Sequence, residues 1–519
     1  MRGKHLINLF CKGEHLCEIL TSPVKQIRRK IFTEIAKIGF ESTDESMIHD
    51  IESIPYNIDR GTRGNTAESI YREELLQSER VRLAMGLSLR PENRSVHLTD
   101  GVKASNIDEK YYEPPLMQVI PSACSACESN KYEVSNMCRG CVAHPCLLTC
   151  PKGAISMVNG KSFIDQDKCI HCGRCKAVCP YDAIAHKERP CERACGVKAI
   201  ESDEQGRASI NQDKCVSCGM CMVSCPFGAI SDKSQIFQLS HALREGTEII
   251  AEIAPAYINQ FGEDVTPGQF RSALKQLGFS NIYEVALGAD IGCISEAHHY
   301  AKEVATGHLP FLLTSCCPSW SVMAKKYFPA MIDNISQELT PMVATARIVK
   351  KEHPHAKVVF IGPCASKKLE AMRHSVRSDV DFVITFEELW GLFDAKSITP
   401  STCEELPEET QAATAAGRGY AIAGGVAGAI ENCLKEYYPD VPVHIEHAES
   451  LAECKKVLTL AKAGKIKNCM IEGMACPGGC IGGAGTNAGF AKTSKALKKY
   501  VDSSEPKLPS QELENLELN

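Results

Sequence analysis

The sequence predicts a small α+β cysteine-rich module followed by a large α/β domain, with a helical segment ahead of both. Three observations carry this. Sixteen of the 28 cysteines fall between Cys124 and Cys225. Within that stretch four segments end alike, Cys150-Pro-Lys-Gly-Ala-Ile155, Cys179-Pro-Tyr-Asp-Ala-Ile184, Cys195-Gly-Val-Lys-Ala-Ile200 and Cys225-Pro-Phe-Gly-Ala-Ile230, which is an internal repeat. After it, apolar runs alternate with amphipathic stretches, the pattern of strands and helices in an α/β region.

Residues 1–115 place Ile27, Ile31, Ile35 and Ile38 at helical spacing and read as a helical accessory region. Their Cys11 and Cys17 are too few for a plant-type iron–sulfur site, which takes four ligands. Residues 116–234 hold the repeat, with three full-length units and one cut short. In residues 235–490, Glu248–Pro255 reads as a strand. Thr266–Gly278 reads as a helix, with Thr266 as N-cap, Pro267 in the first turn and Gly278 near the C-cap. Further strands are expected at Ile282–Leu287, Leu309–Leu313, Lys357–Ile361, Asp381–Thr385 and Cys469–Met474. Residues 491–519 read as a polar C-terminal tail, mobile beyond Lys498.

Composition narrows the function. Hydrophobic residues are 44% and charged residues 24%, a globular balance that excludes disorder along most of the chain. Net charge is −6 and no block of five like charges occurs, which argues against a nucleic-acid scaffold or a polybasic membrane anchor. No apolar run reaches the roughly 18 residues of a membrane span. Met1–His5 leads only into the short patch Leu6–Phe10, too weak for a secretory signal, so a cytoplasmic location is expected. In a reducing compartment, clustered cysteines point to metal or redox chemistry rather than disulfides.

Cys169-x2-Cys172-x2-Cys175-x3-Cys179-Pro and Cys215-x2-Cys218-x2-Cys221-x3-Cys225-Pro are bacterial ferredoxin runs. Three thiolates on a tight loop reach three corners of a 4Fe-4S cubane, and the fourth cysteine reaches a neighbouring cluster. Zinc prefers paired Cys-x2-Cys knuckles and fits poorly. Cys138-x2-Cys141-x4-Cys146-x3-Cys150-Pro is a third half with a longer gap. Cys124-x2-Cys127 stands upstream of Cys191 and Cys195. Sixteen thiolates divide into four accessory cubanes, two or three clusters being the other division. The expected groupings are Cys138, Cys141 and Cys146 with Cys179; Cys169, Cys172 and Cys175 with Cys150; Cys215, Cys218 and Cys221 with Cys195; and Cys124, Cys127 and Cys191 with Cys225. A row of cubanes reads as a wire.

Three further motifs stand where such a wire would end. They are Thr314-Ser-Cys-Cys-Pro-Ser-Trp320, Gly362-Pro-Cys-Ala-Ser-Lys-Lys-Leu-Glu370, and Glu472-Gly-Met-Ala-Cys-Pro-Gly-Gly-Cys-Ile-Gly-Gly-Ala-Gly485. Each follows a predicted strand, where open α/β sheets present their ligand loops. Four thiolates from three loops can hold one cubane, leaving one thiol beside it. Glycine lets backbone approach a bulky ligand, and the lysine three residues after Cys364 can aim a donor at an anion.

With these motifs in this order, residues 116 to 485 resemble an [FeFe]-hydrogenase. The resemblance implies a 4Fe-4S domain of ferredoxin-like fold before an α/β domain that carries the H-cluster, a cubane joined to a two-iron unit bearing CO, cyanide and azadithiolate. By motif, Cys317, Cys364, Cys476 and Cys480 would hold the cubane, Cys480 also bridging to the two-iron unit. Cys316 would be the proton-passing thiol, Lys367 and the Pro363 backbone would meet a cyanide, and Met474 would pack near the two-iron unit. The implied activity is reversible 2H⁺ + 2e⁻ ⇌ H₂, with ferredoxin as electron partner and maturases supplying the two-iron unit. No nicotinamide or flavin fingerprint competes, since Gly417-Arg-Gly-Tyr and Gly424-Gly-x2-Gly428 have the wrong spacing.

The sequence also departs from the family pattern. Gly362 stands where the second motif usually has methionine, which is expected to open space near the two-iron unit. Ala254-Pro255-Ala256 has alanine where serine usually meets a cyanide, so Ala256 and Gly362 both remove a contact. In the family's proton path, Glu296 and Ser336 fit the first two stations. The next two hold His299 and Glu303, a relay in place of the usual pair or two ordinary solvated helix residues. Lys368 is expected to be solvated, the methionines and aromatics near 320–345 to be core, and the scattered Cys11, Cys17, Cys293, Cys403, Cys433, Cys454 and Cys469 to be inert buried thiols. Two other readings stand beside the enzyme: a hydrogen sensor with the same cofactor, and a non-catalytic iron–sulfur protein like the family's cytosolic assembly relatives.

Overall fold

The computed structural model describes residues 22–43, 45–58, 69–407 and 413–515. Cys11 and Cys17 lie outside the described residues. The chain divides into two compact units, one of residues up to Leu116 with Val216–Gly219 and Asp232 onward, the other of Met117–Cys215 with Met220–Ser231.

In the larger unit the predicted isoleucine stripe forms α1, Pro23–Glu41, started by the Ser22 hydroxyl accepting from the Lys25 amide. Ile31, Ile35 and Ile38 are buried, joined by Ile51 and Ile54 of α2 (Met47–Asn57) and Val81 of α3 (Ile70–Ala84). These side chains share one core with Leu389, Leu392 and Phe393 of the helix Phe386–Ala395. Residues 1–115 were expected as a separate accessory region. Their described helices are instead part of the larger unit's core, because their apolar stripe is buried against that helix.

Ions reinforce the join. Arg29 makes two bonds to Asp394 at 2.5 and 2.7 Å, its guanidinium 4.2 Å above the Trp390 ring. Arg28 reaches Asp232 at 3.2 Å and Glu387 at 3.1 Å. Lys368 is not solvated as expected. It is 2% exposed and bonds Asp232 at 2.7 Å, Glu388 at 2.8 Å and the Lys233 carbonyl at 2.9 Å. The second motif puts two lysines on one turn, and the one facing away from the cavity meets the carboxylates of two other segments.

Two parallel sheets frame the rest of this unit. One runs Asn281–Glu284, Ile249–Ile253, Lys357–Gly362, Phe382–Thr385 in spatial order; the other runs Phe311–Leu313, Cys469–Met474, Ile445–Glu449. Six of these seven strands match predicted runs, with one trimmed. Val285–Leu287, expected as strand, is already helix, since Val285–His299 begins at once after Glu284. The strand Ile445–Glu449 was not predicted, because IEHAE alternates without an apolar run. The helix Pro267–Leu277 has the expected cap at Thr266, completed as a capping box by Gln269, with left-handed Gly278 after it. The C-terminal segment is not a polar tail from residue 491. Phe490–Ser503 is a helix with Thr493 and Leu497 buried, its apolar face hidden among many lysines.

The smaller unit explains the repeat. Met117–Val119 pairs with Ile230–Asp232, and Ile200–Ser202 with Ala208–Ile210. Between those partners in sequence lies a second set: Lys131–Val134 pairs with Ile184–Lys187, and Ile155–Val158 with Lys161–Ile164. One ferredoxin-like fold is inserted in the first half of another. The half that looked cut short is therefore complete, with Cys124 and Cys127 before the insertion and Cys191 and Cys195 after it. Its backbone agrees. Ala126, Gly140, His171 and Ser217, each just before a second cysteine, are left-handed with φ from 46° to 56°. So are Gly153, Asp182, Lys198 and Gly228, each three residues after a last cysteine. That turn aims the next amide at sulfur: Ala154, Ala183, Ala199 and Ala229 donate to Cys150, Cys179, Cys195 and Cys225 at 3.3, 3.4, 3.2 and 3.4 Å.

Replacing Lys368 with methionine leaves buried carboxylates short of a counter-charge. It should cost about 3–5 kcal/mol in denaturant unfolding under anaerobic conditions. A loss below about 1 kcal/mol, the value of a surface pair, would contradict this account.

Candidate active site

All three motif loops leave the carboxyl ends of parallel strands. Cys316 and Cys317 follow Phe311–Leu313, with Cys317 capping the helix Pro318–Tyr327. Cys364 lies between Lys357–Gly362 and the short helix Ser366–Glu370. Cys476 and Cys480 follow Cys469–Met474. The loops are held by main-chain bonds: Thr314 N–H donates to Ile471 O at 3.1 Å, Gly485 N–H to Pro363 O at 2.9 Å, and Ile481 N–H to Ala421 O at 3.2 Å. Two glycines are sterically required. A Cβ on Gly473 would lie 2.2 Å from the buried Trp320 indole, and one on Gly479, at φ 89°, would lie 2.5 Å from the Ala423 nitrogen.

The loops line a cavity with about 90 Å³ of water-accessible space. Cys316, Cys317, Cys364, Cys476 and Cys480 all line it, with Lys367, Pro363 and Met474. The structure thus gathers the five motif cysteines from three loops at one place. Ala256 does not line the cavity, and the wall there is Ala254 and Pro255. Nor does Gly362 open space. A Cβ there would lie 2.5 Å from the Phe360 ring, and Phe360 itself lines the cavity. The room that glycine vacates is filled from two residues away on the same strand.

The site's electrostatics follow from burial. Burial in the apolar wall, then the charge of neighbouring thiols, pushes Cys364 up to about 11 and Cys480 up to about 12. It raises Cys316 and Cys476 well above the ordinary thiol value. Several thiolates so close need cationic compensation, which an iron–sulfur core provides. Burial also opposes the Lys367 charge, but Glu370 at 2.6 Å and the Cys364 and Cys316 sulfurs outweigh it and raise its pKa. The Lys367 ammonium is thus buried, charged and paired with Glu370 at the cavity wall. A buried cationic donor at the cavity wall, amid four thiols on loops of glycine and proline, fits an anionic, iron-containing group. Glu252, two residues before Ala254, is fully buried with neither carboxyl oxygen partnered among the described residues, and burial pushes its pKa well up.

Glu296 and Ser336 stand behind Cys316. Burial lifts Glu296 to about 7, against a hydrogen bond from Ser336 and aided by the charge of Glu338. The Glu296 charge in turn reaches Cys316. Beyond Ser336 the nearby carboxylate is Glu338, whose amide donates to Ser336 Oγ at 3.3 Å. Glu303 instead faces His308 at 3.5 Å, and His299 lies half-buried at the end of its helix. Glu338 was missed because it lies in sequence beside Ser336, not on the helix of Glu296. Tyr420, also on the cavity wall, was missed because its Gly-Arg-Gly-Tyr segment was weighed only as a nucleotide loop.

In the smaller unit, Cys124, Cys127, Cys191 and Cys225 line one small cavity. Cys150, Cys169, Cys172 and Cys175 line another. Both sets are among the expected groupings. Of a third, Cys138 and Cys146 both contact Ser162, whose amide donates to Cys138 Sγ at 3.5 Å and whose hydroxyl lies 3.3 Å from Cys146 Sγ. Cys218 falls in the larger unit, where its charge acts on Cys476. There the Val216 carbonyl accepts from Ser319 at 3.1 Å and Ser366 at 3.3 Å, one residue from each of the first two cubane loops. The scattered Cys293, Cys403, Cys433, Cys454 and Cys469 are all buried.

Residues 247–484 match the iron only hydrogenase large subunit, C-terminal domain, and residues 163–185 and 208–231 match the 4Fe-4S binding domain. Iron hydrogenase 1 of Clostridium pasteurianum is 28% identical over 64% of this chain and 67% of its own length. The NADP-reducing hydrogenase subunit HndD of Solidesulfovibrio fructosivorans is 30% identical over 61% of this chain and 55% of its own length. The chain thus spans about half to two thirds of these relatives. The cytosolic iron-sulfur assembly component 3 of Bos taurus is 23% identical over 46% of this chain and 60% of its own length.

Glu296→Gln tests the buried carboxyl. Folded, the group keeps its proton to about pH 7; unfolded, it releases it near 4.5. Burial therefore costs stability as pH rises from about 4.5 to 7. The variant should gain stability relative to wild type across that window and match it below, as read by anaerobic denaturant unfolding at each pH.

Proposed function

Because the chain is a divergent [FeFe]-hydrogenase-like protein, we propose that it catalyses 2H⁺ + 2e⁻ ⇌ H₂ in the cavity of the three loops. The observation that carries the reading is the convergence of five thiols and Lys367 on that one cavity. Cys317, Cys364, Cys476 and Cys480 would hold the cubane, Cys480 shared with the two-iron unit. Lys367 would donate to a cyanide, while Pro363 and Met474 shape the wall. When bound, the H-cluster supplies the redox chemistry.

The chain's own residues supply position and protons. Cys316 carries a proton at its sulfur beside the cluster ligands. Glu296, with a pKa of about 7, can exchange that proton near neutral pH, as a general acid–base group should. Ser336 orients it, and Glu338 offers the next carboxylate toward solvent. Met474, Phe360 and Pro255 keep the wall apolar and limit water. The sixteen thiols from Cys124 to Cys225 would hold four accessory 4Fe-4S clusters, which would supply electron transfer with ferredoxin as partner. We place the protein in the cytoplasm, with maturases delivering the two-iron unit. Among the described residues no helix is long and apolar enough to cross a membrane.

A non-catalytic iron–sulfur role, as the assembly relative's name describes for that protein, would need the cubane thiols alone. Cys316 on the cavity wall with Glu296 behind it favours the enzyme.

Cys316→Ala should abolish hydrogen turnover while the CO and cyanide infrared bands of the matured protein stay in place. Wild-type rates in that variant would remove its role, and a matured wild type without such bands would leave the scaffold reading. Cys127→Ser should lower the anaerobic iron content by about one cubane's four irons and remove one accessory paramagnetic signal. An unchanged count would sink the four-cluster assignment.

A further inference from the structure

One cysteine run is longer than its repeats, and the extra residues have no part in ligation. Cys141-x4-Cys146 exceeds Cys172-x2-Cys175 and Cys218-x2-Cys221 by two residues. The longer turn begins with Val142, which is 95% exposed. At its place the other three runs carry Glu128, Gly173 and Gly219. Leu148 and Met137 on the same loop are 84% and 60% exposed. Single exposed apolar side chains are ordinary, whereas a cluster of them marks a contact surface. Each of these three stands one or two residues from Cys138, Cys141 or Cys146.

The neighbouring hairpin extends the patch. A Cβ on Gly140 would run into the Gly160 carbonyl oxygen, so the loop abuts the turn between Ile155–Val158 and Lys161–Ile164. Ser162 of that hairpin bonds the Cys138 sulfur and lies against the Cys146 sulfur. Val158 and Lys161 pair at the turn and are both exposed. Charge here has one sign. Residues 134–164 contain Arg139, Lys152 and Lys161, all exposed, and no aspartate or glutamate, in a chain of net charge −6. Apolar side chains among basic ones suit a transient contact with an acidic protein. They do not suit a second copy of this chain, because a two-fold contact would face one basic patch with another.

We infer that this loop and turn are the docking surface for a small acidic iron–sulfur carrier. The inference rests on the relay proposed above and assigns its partner to one surface. Docked there, the reduced carrier's cluster loses one electron and the accessory cubane gains it. No atom is transferred, and hydrogen uptake runs the same step in reverse. The apolar side chains seat the carrier beside the ligating thiols, and the basic ones steer it toward an otherwise acidic chain.

The experiment mixes anaerobic full-length protein with an acidic two-[4Fe-4S] ferredoxin reduced in advance. Stopped-flow absorbance follows reduction of the accessory clusters, which needs no two-iron unit. Iron content and accessory paramagnetic signals control for fold. Arg139→Glu with Lys161→Glu should lower the second-order rate about tenfold at low ionic strength, the lower end of electrostatic steering. The difference should vanish near about 1 M salt, where charges are screened within about 3 Å. Lys498→Glu with Lys499→Glu makes the same change in net charge on the exposed side of the helix Phe490–Ser503 and should keep the wild-type rate. Val142→Ser should raise the half-saturating ferredoxin concentration about fivefold, and it reads the surface independently if the charge variant loses a cluster. Equal losses in the two charge variants, or wild-type behaviour of Arg139→Glu with Lys161→Glu and of Val142→Ser, would overturn the inference and leave the hydrogenase reading intact. A wild-type dimer that Val142→Ser dissociates would assign the face to a second copy and overturn it as well. A matured wild type without CO and cyanide bands would remove the hydrogenase reading, and the docking rates would still decide the surface.

Discussion

The three motif loops bury five thiols and a lysine in one apolar cavity, and that burial sets the chemistry around it. Apolar surroundings penalise every thiolate, and neighbouring sulfurs add to the penalty, so Cys364, Cys476 and Cys480 all sit above the ordinary thiol range. Such a set is stable in its charged form only around a cationic core. The two parallel sheets deliver the three loops to one place, and the glycines let their backbones meet there. Lys367 is charged because Glu370 outweighs its desolvation. The low dielectric that makes thiolates costly also makes each donor and carboxyl around the cavity act strongly on whatever occupies it.

Behind the cavity a second set of buried charges does structural work. Lys368 turns away from its neighbour Lys367 and joins Asp232 to Glu388, while Arg28 joins Asp232 to Glu387. The Glu388 side chain also closes the capping box at Thr385. Four segments distant in sequence meet at these carboxylates. Two adjacent lysines thus have different tasks, and their burial alone does not tell them apart.

Much of this was legible in the sequence. Strands rich in β-branched and apolar residues were read within a few positions, because a strand buried on both faces is a continuous apolar run. The five cavity cysteines were legible because their spacing fits no local loop and so requires tertiary assembly. What escaped had no local signal. The strand Ile445–Glu449 carries charges and no apolar run. Lys368 looks like any surface lysine until Asp232 and Glu388 are placed beside it. Space at Gly362 was inferred from one missing side chain, but Phe360 of the same strand occupies it. Tyr420 and Glu338 matter only through neighbours far away in sequence. The divided half of the repeat reads as cut short because its two cysteine pairs are 64 residues apart in sequence, yet the grouping of Cys124 and Cys127 with Cys191 was legible once sixteen thiols had to be shared among cubanes.

That division has a consequence for how the chain is made. A loop closing on Cys127 and Cys191 pays an entropy that grows with the chain between them. The inserted fold shortens that distance, since its outermost strands, Lys131–Val134 and Ile184–Lys187, pair antiparallel and bring the two ends together. The inner module is contiguous in sequence, whereas the outer one joins segments on either side of it. Synthesis order and topology therefore agree: the inner cysteines can gather first, and the hairpin-like frame then lowers the entropy cost of bringing the outer ligands together.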